Sequence, residues 1–339
     1  MSGKLASPNP PGSNGTALAP HSTVSVIGLG PMGTALARTL LGQGHDVVVW
    51  NRTQDRPARM VADGANLANT ASEAVSASPL TIMCVRDHAA AEAIIRSKGF
   101  QEALSGRVLV QMTTVAPDQV AKQNAAVKEH DGRFVMGCIA AYSNAIGRSD
   151  AFFLYAGDVS AFDEHRGTLS SLGGKMHWLG ADPCAVPAAY CSFGTYALGA
   201  IVLFLEGAAL ARHFGFSIDV YQNLARSATD LVLDRFRDSS KRIAIGQFAG
   251  DHASVDTTLA AMREFLSAFQ QMGMPARVTE ACTTQLEFLS ARGDGHKDIA
   301  CLTEALWAAR RGGPKSSRPA GLGEVGPDQR GGFTDAPES

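Results

Sequence analysis

Between a short β-branched run, TVSVIG from Thr23 to Gly28, and a helical stretch, Thr34 to Leu41, the chain reads Gly28-Leu29-Gly30-Pro31-Met32-Gly33. Three glycines at this spacing, between a strand and a helix, make a turn that holds a dinucleotide. Gly28 permits the tight bend, Gly30 lets the backbone approach a pyrophosphate, and Gly33 allows the helix to pack closely on the strand. The helix N-terminus adds unpaired N–H groups and the positive end of its dipole. The candidate cofactor cradle is therefore Gly28, Leu29, Gly30, Pro31, Met32 and Gly33.

The surrounding pattern supports that setting. Gly42 and Gly44 stop the first helix, and Asp46 to Trp50 is a second strand. Further strands are expected at Pro79 to Val85, Gly106 to Met112, RFVMG and AFFLYAG, with helices at Asp87 to Lys98 and Pro117 to Glu129. Strands alternating with helices predict a parallel sheet covered on both faces. The alternation ends near Leu179. Beyond it the chain reads as helices at Ala188 to His213, Ile218 to Arg237, Thr257 to Met272, Pro275 to Arg292 and Asp298 to Arg310.

At 339 residues the chain suits two domains, and a net charge of −2 argues against a nucleic-acid partner, which needs a basic surface. The six cysteines are scattered, with no C-x-x-C and no zinc-like cluster, which predicts a reducing, cytoplasmic setting and no metal. The first 22 residues lack an apolar run and are rich in Pro, Gly, Ser and Asn, so they read as a disordered lead-in rather than a signal peptide. The resulting division is 1–22 disordered, 23–182 cofactor-binding, 183–311 helical, and 312–339 disordered.

Residues 185–205 carry no charge, which meets the length of a membrane helix. Tyr190, Ser192, Thr195 and Tyr196 interrupt the run, Glu206 follows it, and flanking Lys/Arg clusters are missing. The expectation is a helix buried between domains or subunits, not in a membrane.

The second strand ends in Trp50-Asn51-Arg52-Thr53. An NAD-selective protein places an acidic side chain there to hold the ribose hydroxyls. Asn51, Arg52 and Thr53 instead donate hydrogen bonds suited to a 2′-phosphate, which predicts NADP(H).

GLGPMG, WNRT, CVRD, LVQMTT and GCIAAYSNAIGRSDAFFLYAG, in this order, resemble the imine reductases, NADPH-dependent relatives of the β-hydroxyacid dehydrogenases. The resemblance covers Val24 to Trp307. It implies an α/β Rossmann domain followed by an all-α domain, linked by a long interdomain helix. It also implies a homodimer with exchanged helical domains and an active site at the domain junction. Tyr190 falls where the family places an Asp or Tyr that donates a proton or orients the substrate. A β-hydroxyacid dehydrogenase would have Ser-Gly-Gly where Ala140-Ala141-Tyr142 stands, and a Lys at position 190.

The reading is hydride transfer from NADPH to the C=N bond of an imine, or to a carbonyl, in a small-molecule substrate. Cys84, Val85 and Thr113, with the neighbouring Asp87, are expected at the nicotinamide end, where strand ends of an open sheet meet ligands. Thr114, Ile139, Tyr142, Phe193, Tyr196 and Phe204 are candidate substrate-pocket residues, and Tyr190 the catalytic one. Two alternatives stay open: a semialdehyde or β-hydroxyacid dehydrogenase, and a non-catalytic NADP(H)-binding sensor.

Overall fold

The computed structural model describes residues 22–53 and 57–312. The tails expected at 1–22 and 312–339 lie outside those residues, apart from Ser22 and Gly312 at their inner ends. Two compact units form, one reaching Cys191 and the other beginning at Ser192. The division falls inside the helix that begins at Ala185.

The first unit runs β1 (Thr23–Ile27), α1 (Pro31–Gly42), β2 (Asp46–Trp50), α2 (Pro57–Ala62), β3 (Asn66–Leu67), α3 (Ala71–Ser76), β4 (Leu80–Met83), α4 (His88–Ile95), α5 (Lys98–Ala103), β5 (Val108–Gln111), α6 (Pro117–Lys128), β6 (Arg133–Ala140), β7 (Phe152–Gly157), α7 (Val159–Glu164), α8 (Arg166–Ser170) and β8 (Lys175–Trp178). The sheet order is β3-β2-β1-β4-β5-β6-β7-β8. Ile27 pairs with Trp50 on one side and Met83 on the other, and Met83 with Gln111. The carboxyl ends of β2, β1, β4 and β5 are therefore level, and the order reverses between β1 and β4. That switch point opens the crevice in which such sheets bind ligands.

The inner strands are buried on both faces, as a sheet covered twice requires; one face is apolar, and the other also holds the buried polar Ser25, Thr81 and Gln111. Val24, Val26, Val49, Ile82 and Val110 are nearly or fully buried against Leu36 and Leu40 of α1 and the Phe153–Tyr155 pair of β7. Each such side chain stabilises the fold by about 1.5–3 kcal/mol.

The expectation of an all-parallel sheet is corrected at one pair. β7 runs antiparallel to β6, with Val135 opposite Gly157 and Ala140 opposite Phe152. The link between them holds only a short 3-10 turn at Ser143–Ala145, whereas a parallel return needs a long crossover. The helix expected over Asp87 to Lys98 is α4, which ends at Ile95; extended Ser97 then starts the further helix α5, which the sequence reading does not include.

The second unit contains most of α9 (Ala185–His213), then α10 (Ile218–Ile245), α11 (Val255–Gln271), α12 (Arg277–Leu289) and α13 (Leu302–Gly312). Its core joins Val255 and Leu259 to Leu286, Leu289 and Cys301. Glu206 of α9 accepts from the N–H groups of Val278 and Thr279 at 2.9 and 3.0 Å, and from the Thr279 hydroxyl at 2.8 Å. It thereby caps α12, whose own N-cap residue, Ala276, has no side-chain acceptor. Asp298, fully buried, accepts from Arg235 at 2.8 Å and from the Ala300 N–H at 2.9 Å.

Within the one chain described, α9 is mostly uncovered. Only Val186 and Pro187 are buried within the chain, while Leu198 and Leu205 are 62% and 58% exposed. By length and composition it is long and apolar enough to cross a membrane. Its uncharged surface is thus uncovered in a single copy.

Candidate active site

The glycine turn is built by close approach. Gly28 has φ +97°, and a Cβ there would lie 2.3 Å from the Cys84 carbonyl oxygen. A Cβ on Gly33 would lie 1.9 Å from the Gly28 carbonyl oxygen, so the first turn of α1 sits directly on the bend. Gly30 has an ordinary φ of −66° and is the N-cap of α1 with no side-chain cap. Its contribution is a missing side chain rather than an unusual backbone. Pro31 at the first helical position lacks an N–H, and the amides behind it face the turn without a side-chain partner at the cap.

At the end of β2, Asn51 turns inward. Its Oδ1 accepts the Leu29 N–H at 2.9 Å and its Nδ2 donates to the Thr53 carbonyl at 2.8 Å. Arg52 and Thr53 remain exposed beside it. Asp87 caps α4 by accepting from Ala90 N–H at 2.9 Å. That N–H and then the Arg86 guanidinium hold the Asp87 carboxyl below its usual range, and the charge of Arg52 acts the same way. Arg86 thus lies at the mouth of the crevice, where it lines the cavity beneath.

Below this mouth lies a cavity of about 270 Å³. Met32 of the glycine turn, Cys84 and Val85 after β4, and Thr113 and Thr114 after β5 form one side. Ile139 of β6, with Ala141 just beyond it, and Tyr190 of α9 contribute to the rest. The Val85 N–H donates to Thr113 Oγ1 at 3.0 Å, tying the two strand ends together. Tyr190 shares one helix face with Val186 and Pro187, four and three residues earlier, and all three line the cavity. The α9 start is held by Cys184, whose thiol donates to the Pro117 carbonyl at 3.3 Å. Burial pushes the Cys84 thiol up to about 11 and Cys138 up to about 12, so neither is a nucleophile at neutral pH. Among the described residues no group of three or more His, Cys, Asp or Glu is placed to hold a metal.

The structure thus brings Met32, Cys84, Val85, Thr113, Thr114, Ile139 and Tyr190 together. Tyr142 it places elsewhere. Its carbonyl accepts from Ala145 N–H in the 3-10 turn, and its ring is 75% exposed while Ala141 faces the cavity. Phe193, Tyr196 and Phe204 lie beyond Cys191 in the helical unit. There Tyr196 packs edge-on against Phe236 with centroids 5.2 Å apart, and Phe204 against Tyr221 at 5.0 Å. The cavity also uses Met112, Val115, Met136, Gly137, Cys138, Val186 and Pro187. Met112, Gly137 and Cys138 fall within the LVQMTT and GCIAAYS segments but no single residue type there marks them as lining, and the i, i+4 spacing of Val186 and Tyr190 is a usable signal.

Residues 23–180 match the family described as the NAD binding domain of 6-phosphogluconate dehydrogenase. Residues 195–308 match the NADPH-dependent reductive aminase-like C-terminal domain. A solved imine reductase from Pseudomonas sp. is 36% identical with a TM-score of 0.82, over 84% of this chain and 99% of that one. The chain belongs to the imine reductase family. An NADPH-dependent reductive aminase of Aspergillus oryzae is 28% identical over 83% of this chain and 96% of its own length. A reductive aminase from Aspergillus terreus, solved with NADPH4, cyclohexanone and allyl amine, is 28% identical with a TM-score of 0.77, over 84% of this chain and 99% of that one.

Proposed function

We infer that this chain is an NADPH-dependent reductase that delivers hydride to a C=N bond, turning an imine or iminium into an amine. The carrying observation is that one cavity joins the glycine-turn residue Met32, the strand-end residue Thr113 and the phenol of Tyr190. The turn suits a dinucleotide: the space above Gly28 and Gly33 tolerates no Cβ, and the α1 cap leaves its amides for an anion.

Gly28, Leu29, Gly30, Pro31, Met32 and Gly33 hold the pyrophosphate. Arg52 and Thr53 meet the 2′-phosphate, and Asn51 braces the turn they flank. Cys84, Val85 and Thr113 border the nicotinamide, which supplies hydride when bound. Thr114 and Ile139 bound the substrate space and keep water from it. Tyr190 donates its O–H proton to the nitrogen of a neutral imine as a C–H bond forms at the carbon, and solvent returns that proton. A cationic iminium needs no proton, and there Tyr190 orients the substrate. Small carbonyl compounds with an amine partner fit the same site, as in the A. terreus complex.

The active form is a homodimer with exchanged helical domains, in the cytoplasm. Leu198 and Leu205 on α9 and Leu224 and Leu231 on α10 leave an apolar surface that a second copy covers, bringing Phe193 and Tyr196 into a completed pocket. That occupant accounts for the uncharged helix without a membrane. Cysteines without disulfides suit the reducing compartment.

NADPH consumption against cyclic imines, ketone-plus-amine pairs and semialdehydes tests this reading. Turnover with the C=N substrates and none with semialdehydes supports it. Turnover with semialdehydes alone contradicts it.

A further inference from the structure

Behind the cavity a line of buried amides leads from Thr113 towards the surface. Gln111, ending β5, and Gln123, on α6, are 0% and 1% exposed. The Thr113 N–H donates to Gln111 Oε1 at 2.8 Å. Gln111 Nε2 donates to Gln123 Oε1 at 3.2 Å and to the Met83 sulfur at 3.8 Å. Gln123 Nε2 meets His88 Nδ1 at 3.3 Å, and His88 Nε2 lies 3.7 Å from Glu92 Oε2.

The direction of this line is dictated from its inner end. A backbone N–H has a proton to give and no lone pair, so Gln111 must turn its oxygen to Thr113. Its NH2 then faces Gln123, which must answer with oxygen. The NH2 of Gln123 faces His88, whose Nδ1 must accept, which leaves the ring proton on Nε2 towards Glu92. Reversing one amide would set donor against donor, and each buried group left unpaired costs about 1–3 kcal/mol. At the cavity, the Thr113 hydroxyl oxygen already accepts from Val85 N–H, so its own proton is available to a ligand.

We propose that Gln111 and Gln123 are positioning residues that lock the end of β5 so that the Thr113 hydroxyl donates its proton into the cavity. This rests on the reductase reading above, in which the acceptor is the bound cofactor or substrate. An apolar side chain at 111 would join β5 to α6 but strip the buried Thr113 N–H of its acceptor, and one at 123 would strip the Gln111 NH2 of its oxygen partner, so the two amides serve the Thr113 end of the line rather than packing alone.

The test compares Gln123→Leu, Gln123→Glu, Thr113→Val and the Gln123→Leu/Thr113→Val double variant. The readouts are hydrogen exchange at the Thr113 amide, kcat, and KM for NADPH. Gln123→Leu should speed that exchange and lower kcat, each about tenfold, as expected for one lost hydrogen bond. KM for NADPH should stay within about twofold. Gln123→Glu keeps an oxygen towards Gln111 and should recover most of both losses. The double variant should be no slower than Thr113→Val alone, because Gln123 acts through Thr113. Unchanged exchange in Gln123→Leu, or losses that multiply in the double variant, overturns the proposal. Exchange needs no turnover, so a wild type without imine reduction counts against the proposed function while the amide line is still decided. If Gln123→Leu does not fold, the 15N spectrum of His88 in the wild type decides: a proton on Nε2 alone supports the line, and one on Nδ1 overturns it.

Discussion

The side-chain oxygen of Asn51 accepts the backbone N–H of Leu29 at 2.9 Å, so the end of β2 braces the second residue of the glycine turn. In the proposed function, Asn51 bears on the whole cofactor through that turn, while its neighbour Arg52 bears on the 2′-phosphate alone.

That division predicts two different losses. Arg52→Asp should weaken NADPH by about tenfold or more while leaving NADH within about twofold, since a carboxylate repels only the 2′-phosphate. Asn51→Ala should weaken both cofactors alike. Fluorescence titration of each cofactor separates the cases, and equal loss in Arg52→Asp would defeat the NADP(H) assignment.

Gly33→Ala should abolish cofactor binding and destabilise the first unit by about 1–3 kcal/mol, because its Cβ would sit 1.9 Å from the Gly28 carbonyl oxygen. Thermal unfolding with and without NADPH reads both effects. A variant that keeps its ligand-induced rise in Tm contradicts the cradle.

How far these features were legible in the sequence depends on whether a local signal carried them. Gly28 and Gly33 announced themselves, because a missing Cβ is a property of one position. Cys84–Val85 and Thr113–Thr114 followed from the ends of two apolar strands, and the resemblance pointed to Tyr190. Met136 and Cys138 were hidden, because an apolar strand shows no sign of which residue meets a cavity. Tyr142 lies just outside the cavity wall of the single chain: where β6 ends, the backbone turns, so Ala141 faces in and Tyr142 is exposed. The antiparallel β7 was hidden because alternation does not report direction. For α9, composition showed an uncharged surface but not what covers it.

Glu206 sits at the start of α12. Burial alone would raise its pKa, but the hydrogen bonds from Val278 and Thr279 outweigh this and lower it. A carboxyl lowered in the folded state adds stability above its unfolded value, about 4.3, and loses it as pH falls through the folded value. Glu206→Gln should cost about 1 kcal/mol at neutral pH and flatten the acid limb of the stability curve below about pH 4.3. Urea unfolding from pH 3 to 7 measures this, and parallel curves for the two proteins would rule the cap out.

Tyr155 is fully buried, and its hydroxyl has no hydrogen-bond partner among the described residues. Burial raises its pKa, so it stays a neutral phenol. Tyr155→Phe should leave stability unchanged or raise it by about 1 kcal/mol, since it removes an unpaired polar group and keeps the ring against Phe153 and Phe162. Denaturant unfolding checks the sign, and a loss above about 1 kcal/mol would mean that the hydroxyl has a partner.

The central claim is that Tyr190 serves the reacting nitrogen rather than the fold or the cofactor. Its most direct test is single-turnover hydride transfer to a neutral cyclic imine by Tyr190→Phe, with NADPH affinity measured alongside. The account predicts unchanged affinity and a rate lower by about 10²- to 10⁴-fold. Transfer at the wild-type rate, or a rate loss matched by lost NADPH binding, would contradict it.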